Sequence, residues 1–361
     1  MRLAVLGVGL IGGSIGLAAR RRLDAEVTGF DPDPATLDRA LEAEALDRSA
    51  ASATEASSGA ELIFCAAPVG ALPGLAREAL AAAGPDAVVT DVGSVKREIV
   101  AELDGDERFI GGHPLAGAET SGVENARADL FEGARWYLTP TARSGGLQYD
   151  RLQRAIADIG ARPQASDADT HDRLMATVSH LPHVLANVLV AQAAREVAGE
   201  DAVLPEVGPS LRDTARVAGA NPAIWTDIFA ANSEAVADSI DAVVERLQDA
   251  AGRLRAGDRA RVAEWHAAAG EDRRRLLEAD LAGGPLHELR LRVPNQPGIV
   301  AELALALGRA GVNIEDMALS PTADLRFGAI SVWVAGPEQA ERAAERIREL
   351  GHAVSVVDSE G

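Results

Sequence analysis

The sequence predicts an α/β chain in three parts: a parallel sheet with crossover helices, a wholly helical stretch, and a small βαββαβ sandwich. Three observations carry this. Short apolar runs alternate with helical patterns at the start, purely helical periodicity follows, and strand patterns return after the Gly283-Gly-Pro285 breaker. At 361 residues and 47% hydrophobic content, the chain exceeds one hydrophobic core and supplies enough for two or three.

Residues 1–165 read as the nucleotide-binding part. Arg2-Leu-Ala-Val-Leu6 is a strand, Gly7-Val-Gly-Leu-Ile-Gly12 opens a helix, and Glu26-Val-Thr-Gly-Phe30 is a second strand ending at Asp31. Further apolar runs at 61–66 and 87–91 alternate with helical patterns at 34–46 and 70–83, the rhythm of a parallel sheet. Residues 166–282 carry helical periodicity at Leu174, Val178, Leu181, Leu185, Val188 and Leu189. Helices with so many apolar faces call for a second chain to cover them, so a homodimer is expected. Residues 286–361 predict strand 286–293, helix 297–310, strands 312–320 and 326–335, helix 337–350 and strand 352–358, a ferredoxin-like order.

The net charge of -20 argues against nucleic acid or an anionic membrane surface as partner. Without a signal-peptide cleavage site or a run of eighteen uncharged apolar residues, the expectation is a soluble cytoplasmic protein. The one cysteine, Cys65, lies in an apolar run and is expected to pack as a small hydrophobe. Lys96 is the only lysine.

The glycine motif is specific because of its setting: it follows a strand, opens a helix, and precedes an acidic residue at the end of the next strand. Gly7 permits the tight turn, Gly9 lets backbone approach a pyrophosphate, Gly12 allows close helix packing, and Leu10 and Ile11 begin the helix whose N–H groups face the anion. This makes the first part a Rossmann-type domain. Asp31 is placed to accept hydrogen bonds from a ribose diol and to repel a 2'-phosphate, which favours NAD over NADP; a helix N-cap is more naturally Asp33. Ser94 and Lys96 follow a parallel strand and are expected at the cofactor edge, although a solvated loop explains them equally from composition. His113 lies between a short strand and a glycine-containing loop, where it serves either catalysis as a base or loop hydrogen bonding.

In the helical part, Ser179-His-Leu-Pro-His183 brings two histidines together without the partners a zinc site needs, so polar contacts in a cleft are expected and no metal. Pro182 marks a helix start or kink. Arg212 and Arg216 suit bidentate carboxylate binding, and Arg216 has the smaller, more apolar neighbours. Trp225 packs the helix or lines a pocket.

Together, in order and approximate spacing, GxGxxG, Gly-Ser-Val-Lys, His-Pro-Leu-Ala-Gly, Ser-His-Leu-Pro-His, Asp-Thr-Ala-Arg-Val-Ala and Asn-Pro-x-x-Trp resemble the prephenate/arogenate dehydrogenase family. The resemblance covers residues 1 to about 280. It implies NAD-dependent oxidative decarboxylation on the route to tyrosine, with His113 taking the proton of the substrate's ring hydroxyl and Ser94 orienting that hydroxyl and the histidine. It further implies Arg216 as carboxylate binder, Ser179, His183 and Trp225 as pocket residues, and Glu119 as an acidic gate. The tail, with Pro294-Asn-Gln-Pro-Gly and Gly311-Val-Asn-Ile-Glu-Asp316, resembles the ACT regulatory domain, which implies Asn295, Gly298, Gly311, Val312 and Asn313 as effector-loop positions and tyrosine as a possible effector. A purely structural or dimerising tail is the alternative.

Prephenate and arogenate differ in a keto versus an amino group and remain open at this stage. A β-hydroxyacid dehydrogenase is a rival, but it relies on a helical-domain lysine, and none occurs there. An NAD-sensing regulator without turnover is a third reading, opposed by His113 and Arg216.

Overall fold

The computed structural model describes residues 1–117, 120–197, 208–278, 286–294, 299–312, 314, 316–321 and 327–357. The chain divides into two compact units, Met1–Arg246 and Leu247–Gly361.

The first unit is built on a sheet of β1 (Arg2–Leu6), β2 (Glu26–Phe30), β3 (Arg48–Ser49), β4 (Leu62–Cys65), β5 (Val88–Asp91), β6 (Phe109–Pro114), β7 (Arg135–Thr139) and β8 (Arg162–Ala165). Its order is β3-β2-β1-β4-β5-β6-β7-β8. Strands β1 to β6 are parallel, whereas β7 runs antiparallel to β6 and carries β8 parallel to itself. The parallel expectation therefore fails at one edge, where the chain returns from β6 without a crossover α-helix, so the next strand must point the other way.

Helices α1 (Leu10–Arg22), α2 (Pro34–Glu42), α3 (Ala53–Ser57), α4 (Leu72–Ala82), α5 (Arg97–Leu103) and α6 (Gly146–Asp158) accompany the sheet. Side chains alternate across each strand, so one sequence feeds two cores. Leu3, Val5, Leu62 and Phe64 join Ile15 of α1 and Leu152 of α6, while Ala4, Leu6, Ile63 and Cys65 join Leu72 of α4 and Ile99 of α5. Burial pushes the Cys65 thiol pKa up, in keeping with a packing role.

The sheet is followed by α7 (Ala168–Met175), a π-helical turn (Ala176–His180), α8 (Leu181–Val197), α9 (Pro209–Thr214), α10 (Pro222–Ala231) and α11 (Ser233–Ala256). Asp167 caps α7 by accepting from Thr170 N at 2.8 Å, and Asn221 caps α10 by accepting from Ala223 N at 3.1 Å. The π turn lies just before Pro182, which has no N–H to return to the preceding turn, so the helical register slips there. By length and composition Ala168–Glu196 is apolar enough to cross a membrane, with 28% of its window buried. Its first turns, however, carry fully buried His171, Asp172 and His180, and Asp172 is bonded to the loop after β5. Those bonds tie the stretch to the sheet. Further along, Val178, Leu185, Val188 and Leu189 expose an apolar face.

The second unit contains α12 (Arg259–Glu278), β9 (Leu286–Pro294), α13 (Ile299–Arg309), β10 (Asp316–Pro321), β11 (Phe327–Ala335), α14 (Pro337–Glu349) and β12 (Val354–Val357). Its sheet is antiparallel in the order β10-β11-β9-β12, the ferredoxin-like arrangement. Leu289, Leu291, Ile330 and Val332 meet Leu303 and Leu307 of α13 and Ala343 and Ile347 of α14 in one core. In the same unit the Arg273 guanidinium of α12 lies 5.3 Å from the centroid of the Trp333 ring.

Candidate active site

The glycine loop leaves β1 with no room for side chains where backbone segments meet. Gly7 has φ +94°, and a Cβ on it would strike the Ala66 carbonyl; one on Gly12 would strike the Gly7 carbonyl. At Gly9 a Cβ would meet nothing within 4 Å, so the space beside the start of α1 is open for an anion. The Asp31 carboxylate accepts from Val8 N at 2.9 Å and from Asp33 N at 3.0 Å, which fixes it beside the loop with acceptor capacity left for a diol. Half-buried Leu10 and Ile11 pack against the core at the head of α1. These residues fit an adenine dinucleotide.

On β6, His113 faces a chain of polar groups. Its Nδ1 is 2.9 Å from His171 Nε2, and His171 Nδ1 is 2.8 Å from Asp172 Oδ1. The Asp172 carboxylate also accepts from Lys96 N and Arg97 N, both at 2.8 Å. Because a carboxylate only accepts, His171 Nδ1 donates to it. With one proton per ring, His171 Nε2 then accepts from His113 Nδ1, and the His113 Nε2 lone pair is left unused. Burial holds the His113 pKa well below that of free histidine, with His171, Lys96 and His180 adding to the effect. A neutral imidazole with one free acceptor nitrogen is the result.

The network continues through Asn232, whose Nδ2 donates to the Asp172 carbonyl at 2.8 Å and lies 3.2 Å from His180 Nδ1. That leaves the His180 proton on Nε2, which is buried and has no partner among the described residues. Burial lowers the His180 pKa to about 4, with His171 and His183 adding and Asp172 opposing. Trp225 stands between the two histidines of the α8 motif: its ring is edge-on to His180 at 6.0 Å and stacked on His183 at 3.6 Å. The His183 pKa is lowered by burial and by neighbouring Arg216, against a raising hydrogen bond to the Val217 backbone. A free acceptor, an unpaired buried donor and a cation near the histidine that packs on Trp225 thus belong to one connected set, suited to a small anionic ring compound with a hydroxyl.

Family models match the chain in order. The prephenate dehydrogenase nucleotide-binding domain matches residues 15–164, the prephenate dehydrogenase dimerization domain 167–267, and the ACT domain 287–352. A probable prephenate dehydrogenase of Streptomyces niveus is 32% identical, over 85% of this chain and 81% of its own length. The chain belongs to the prephenate dehydrogenase family. The prephenate dehydrogenase of Bacillus subtilis is 27% identical over 94% of both chains. Among solved structures, the Aquifex aeolicus prephenate dehydrogenase with hydroxyphenyl propionate and NAD+ has a TM-score of 0.72 at 28% identity, over 76% of this chain and 98% of its own.

Within this prephenate dehydrogenase fold, His183, Trp225 and Arg216 are brought together as a cluster, and Ser179 is half-buried in the π turn that precedes it. Ser94 is half-buried on the loop after β5, and its side chain makes no hydrogen bond among the described residues. Lys96 corrects the expectation. It is fully buried and ion-paired with Asp91, which commits its ammonium to the interior of the domain rather than to the cofactor edge. His180 closes the π turn and His183 lies in the first turn of α8; the two are near enough for His183 to lower the His180 pKa, and Trp225 contacts both rings. Glu119, Asn295, Gly298 and Asn313 lie outside the described residues. Gly311 turns with φ +70°, and the Val312 side chain belongs to the C-terminal core while its N–H donates to the Leu307 carbonyl at 3.0 Å.

Sequence reasoning missed His171, Asp172 and Asn232. The adjacent His171-Asp172 pair, just inside the capped start of α7, reads as a solvated helix turn, and nothing local marks it as buried. Asn232, between α10 and α11, likewise reads as a turn residue.

Proposed function

We propose that this member of the family is an NAD-dependent prephenate dehydrogenase that converts prephenate to 4-hydroxyphenylpyruvate and carbon dioxide. The observation that carries the reading is the His113–His171–Asp172 chain, which leaves His113 neutral with Nε2 as its free acceptor.

The glycine loop and the start of α1 hold the dinucleotide's pyrophosphate, and Asp31 holds its ribose, which disfavours a 2'-phosphate. When bound, NAD supplies the hydride acceptor. His113 Nε2 takes the ring hydroxyl proton as hydride leaves the carbon bearing that hydroxyl; the ring carboxylate departs as carbon dioxide, and aromatisation drives the change. Ser94 orients the hydroxyl. Arg216 anchors a carboxylate and gives a dianionic substrate a local positive site on a chain of net charge -20. His180 Nε2–H, His183, Ser179 and Trp225 line the pocket, and Glu119 serves as its acidic gate.

The apolar face of α8, in the stretch matched by the dimerization-domain model, supports a homodimer. The enzyme works in the cytoplasm, and its ACT domain takes tyrosine as effector at the loops of Asn295, Gly298, Gly311, Val312 and Asn313.

NADH absorbance with prephenate and with arogenate, for wild type and His113→Asn, tests the reading. Prephenate turnover that exceeds arogenate turnover and falls roughly a hundredfold or more in the variant is expected. Preference for arogenate overturns the substrate, and near-normal turnover in the variant overturns the base.

A further inference from the structure

The only lysine of the chain stands at the origin of two supports that both end on His113. In the first, the Lys96 ammonium pairs with Asp91 Oδ2, and both side chains are fully buried. Asp91 Oδ2 also accepts from Gly93 N at 2.8 Å, while Asp91 Oδ1 accepts from Gly112 N at 3.0 Å. Gly112 is the residue before His113. In the second, Lys96 N donates to Asp172 Oδ1, which holds His171, which in turn holds His113 Nδ1. The ion pair thus fixes the loop whose backbone N–H groups fix Asp172.

Glycine at 93 and 111 keeps this arrangement close-packed: a Cβ on Gly93 would strike Leu72 Cδ1 and Asp91 Oδ2, at 2.5 and 2.9 Å, and one on Gly111 would strike Thr139 Oγ1 and press on Lys96 Cδ at 3.3 Å. Burying an ion pair rarely adds net stability over apolar residues of the same volume, so the presence of one here calls for another use.

We propose that Lys96, through Asp91, is a positioning residue for His113, holding the Gly112 backbone and the Asp172–His171 relay in the one register that presents His113 Nε2 to substrate. The proposal rests on His113 as the base. Its electrostatic side agrees: His113 is faced by His171 of α7, Tyr137 of β7, His180 of the π turn, and Lys96 from the loop after β5 with Asp91 from the end of that strand, with Asp172 behind His171. Of these, Lys96 is the fixed cation that opposes an imidazolium.

The test is the pH profile of kcat/KM for Lys96→Met, Asp91→Asn and His113→Asn. Lys96→Met keeps length and bulk, and should lower kcat at least tenfold while leaving NAD affinity within about twofold. It should also move the acid limb toward neutrality by about one unit, because the cation that disfavours protonated His113 is gone. Asp91→Asn leaves that cation without its counter-charge and should move the limb the opposite way, which keeps the test open if the methionine variant does not fold. Lys96→Arg retains the charge and should leave the limb in place. Loss of yield with unmoved limbs in both Lys96→Met and Asp91→Asn overturns the proposal. Near-normal turnover in His113→Asn instead overturns the base assignment on which it rests.

Discussion

His113 Nδ1 lies 2.9 Å from His171 Nε2, a contact between residues 58 apart in sequence that settles which nitrogen of His113 remains for substrate. The direction of that bond is inherited from Asp172, which only accepts. His171 is fully buried and edge-on to Tyr137, with ring centroids 5.4 Å apart, so it is held on two sides.

Asp172→Asn puts an N–H₂ group where the carboxylate takes N–H bonds from Lys96, Arg97 and His171. Turning the amide to suit one donor sets it against another, and His171 loses the partner that fixes its tautomer. Turnover should fall by roughly 10²–10⁴ with NAD affinity little changed, the scale seen when an orienting carboxylate is lost. Steady-state kinetics in NAD and prephenate check this, and wild-type kcat in the variant would refute the relay.

Much of the fold was legible because its signals are local. The run Gly7 to Gly12 states its turn and helix start in six residues, and β1 to β2 follow from apolar runs with Asp31 at the end. The βαββαβ tail was legible for the same reason. Strands β7 and β8 were not read, because nothing local says that Arg135-Trp-Tyr-Leu-Thr139 turns back beside β6, and Arg162-Pro-Gln-Ala165 is polar. His113, His183, Arg216 and Trp225 were read from motif order. Lys96 was conspicuous but misassigned, since sequence shows that a lysine is alone and not which way it points. His171 and Asp172 owe their importance to partners 58 and 76 residues away, a relationship that no window of sequence contains.

Acid should destabilise the folded chain through its buried histidines. His180, at about 4, His113 and His183 all have folded pKa values below the ordinary 6.5, so the unfolded chain binds more protons once pH falls below that value. Their contribution to stability is complete above about pH 6.5 and is lost as pH drops from there through the folded values. Melting temperature should therefore decline over that window, and His180→Asn should flatten the decline. An equally steep loss in the variant would place the sensitivity elsewhere.

Asp31 should set dinucleotide choice. Its carboxylate is already committed to Val8 N and Asp33 N, so it cannot swing away from a 2'-phosphate without breaking both bonds. NAD should give the higher kcat/KM, and Asp31→Ser should narrow the gap by improving NADP use and weakening NAD use. A wild-type preference for NADP would sink the argument.

The tail should act as a tyrosine-responsive brake, and the second unit shows where to probe it. Every proposed catalytic residue lies in Met1–Arg246, whereas α12 and the C-terminal sheet share Leu247–Gly361, joined by Arg273 over Trp333. Truncation at about Leu281 should spare turnover and abolish inhibition, but it also removes the sheet that Arg273 stacks on, so a change of response in the truncated chain has two causes. Trp333→Ala is the sharper probe, because it keeps the effector loops and removes only the aromatic face beneath the guanidinium. An effector shifts an equilibrium only by its difference in affinity for two arrangements, and coupling of ordinary size corresponds to roughly 5- to 150-fold in affinity. If α12 carries part of that coupling, Trp333→Ala should weaken tyrosine inhibition severalfold while uninhibited kcat stays within about twofold. Tyrosine binding measured by calorimetry separates the steps: retained binding with lost inhibition places Trp333 in the coupling route, and unchanged inhibition takes α12 out of it.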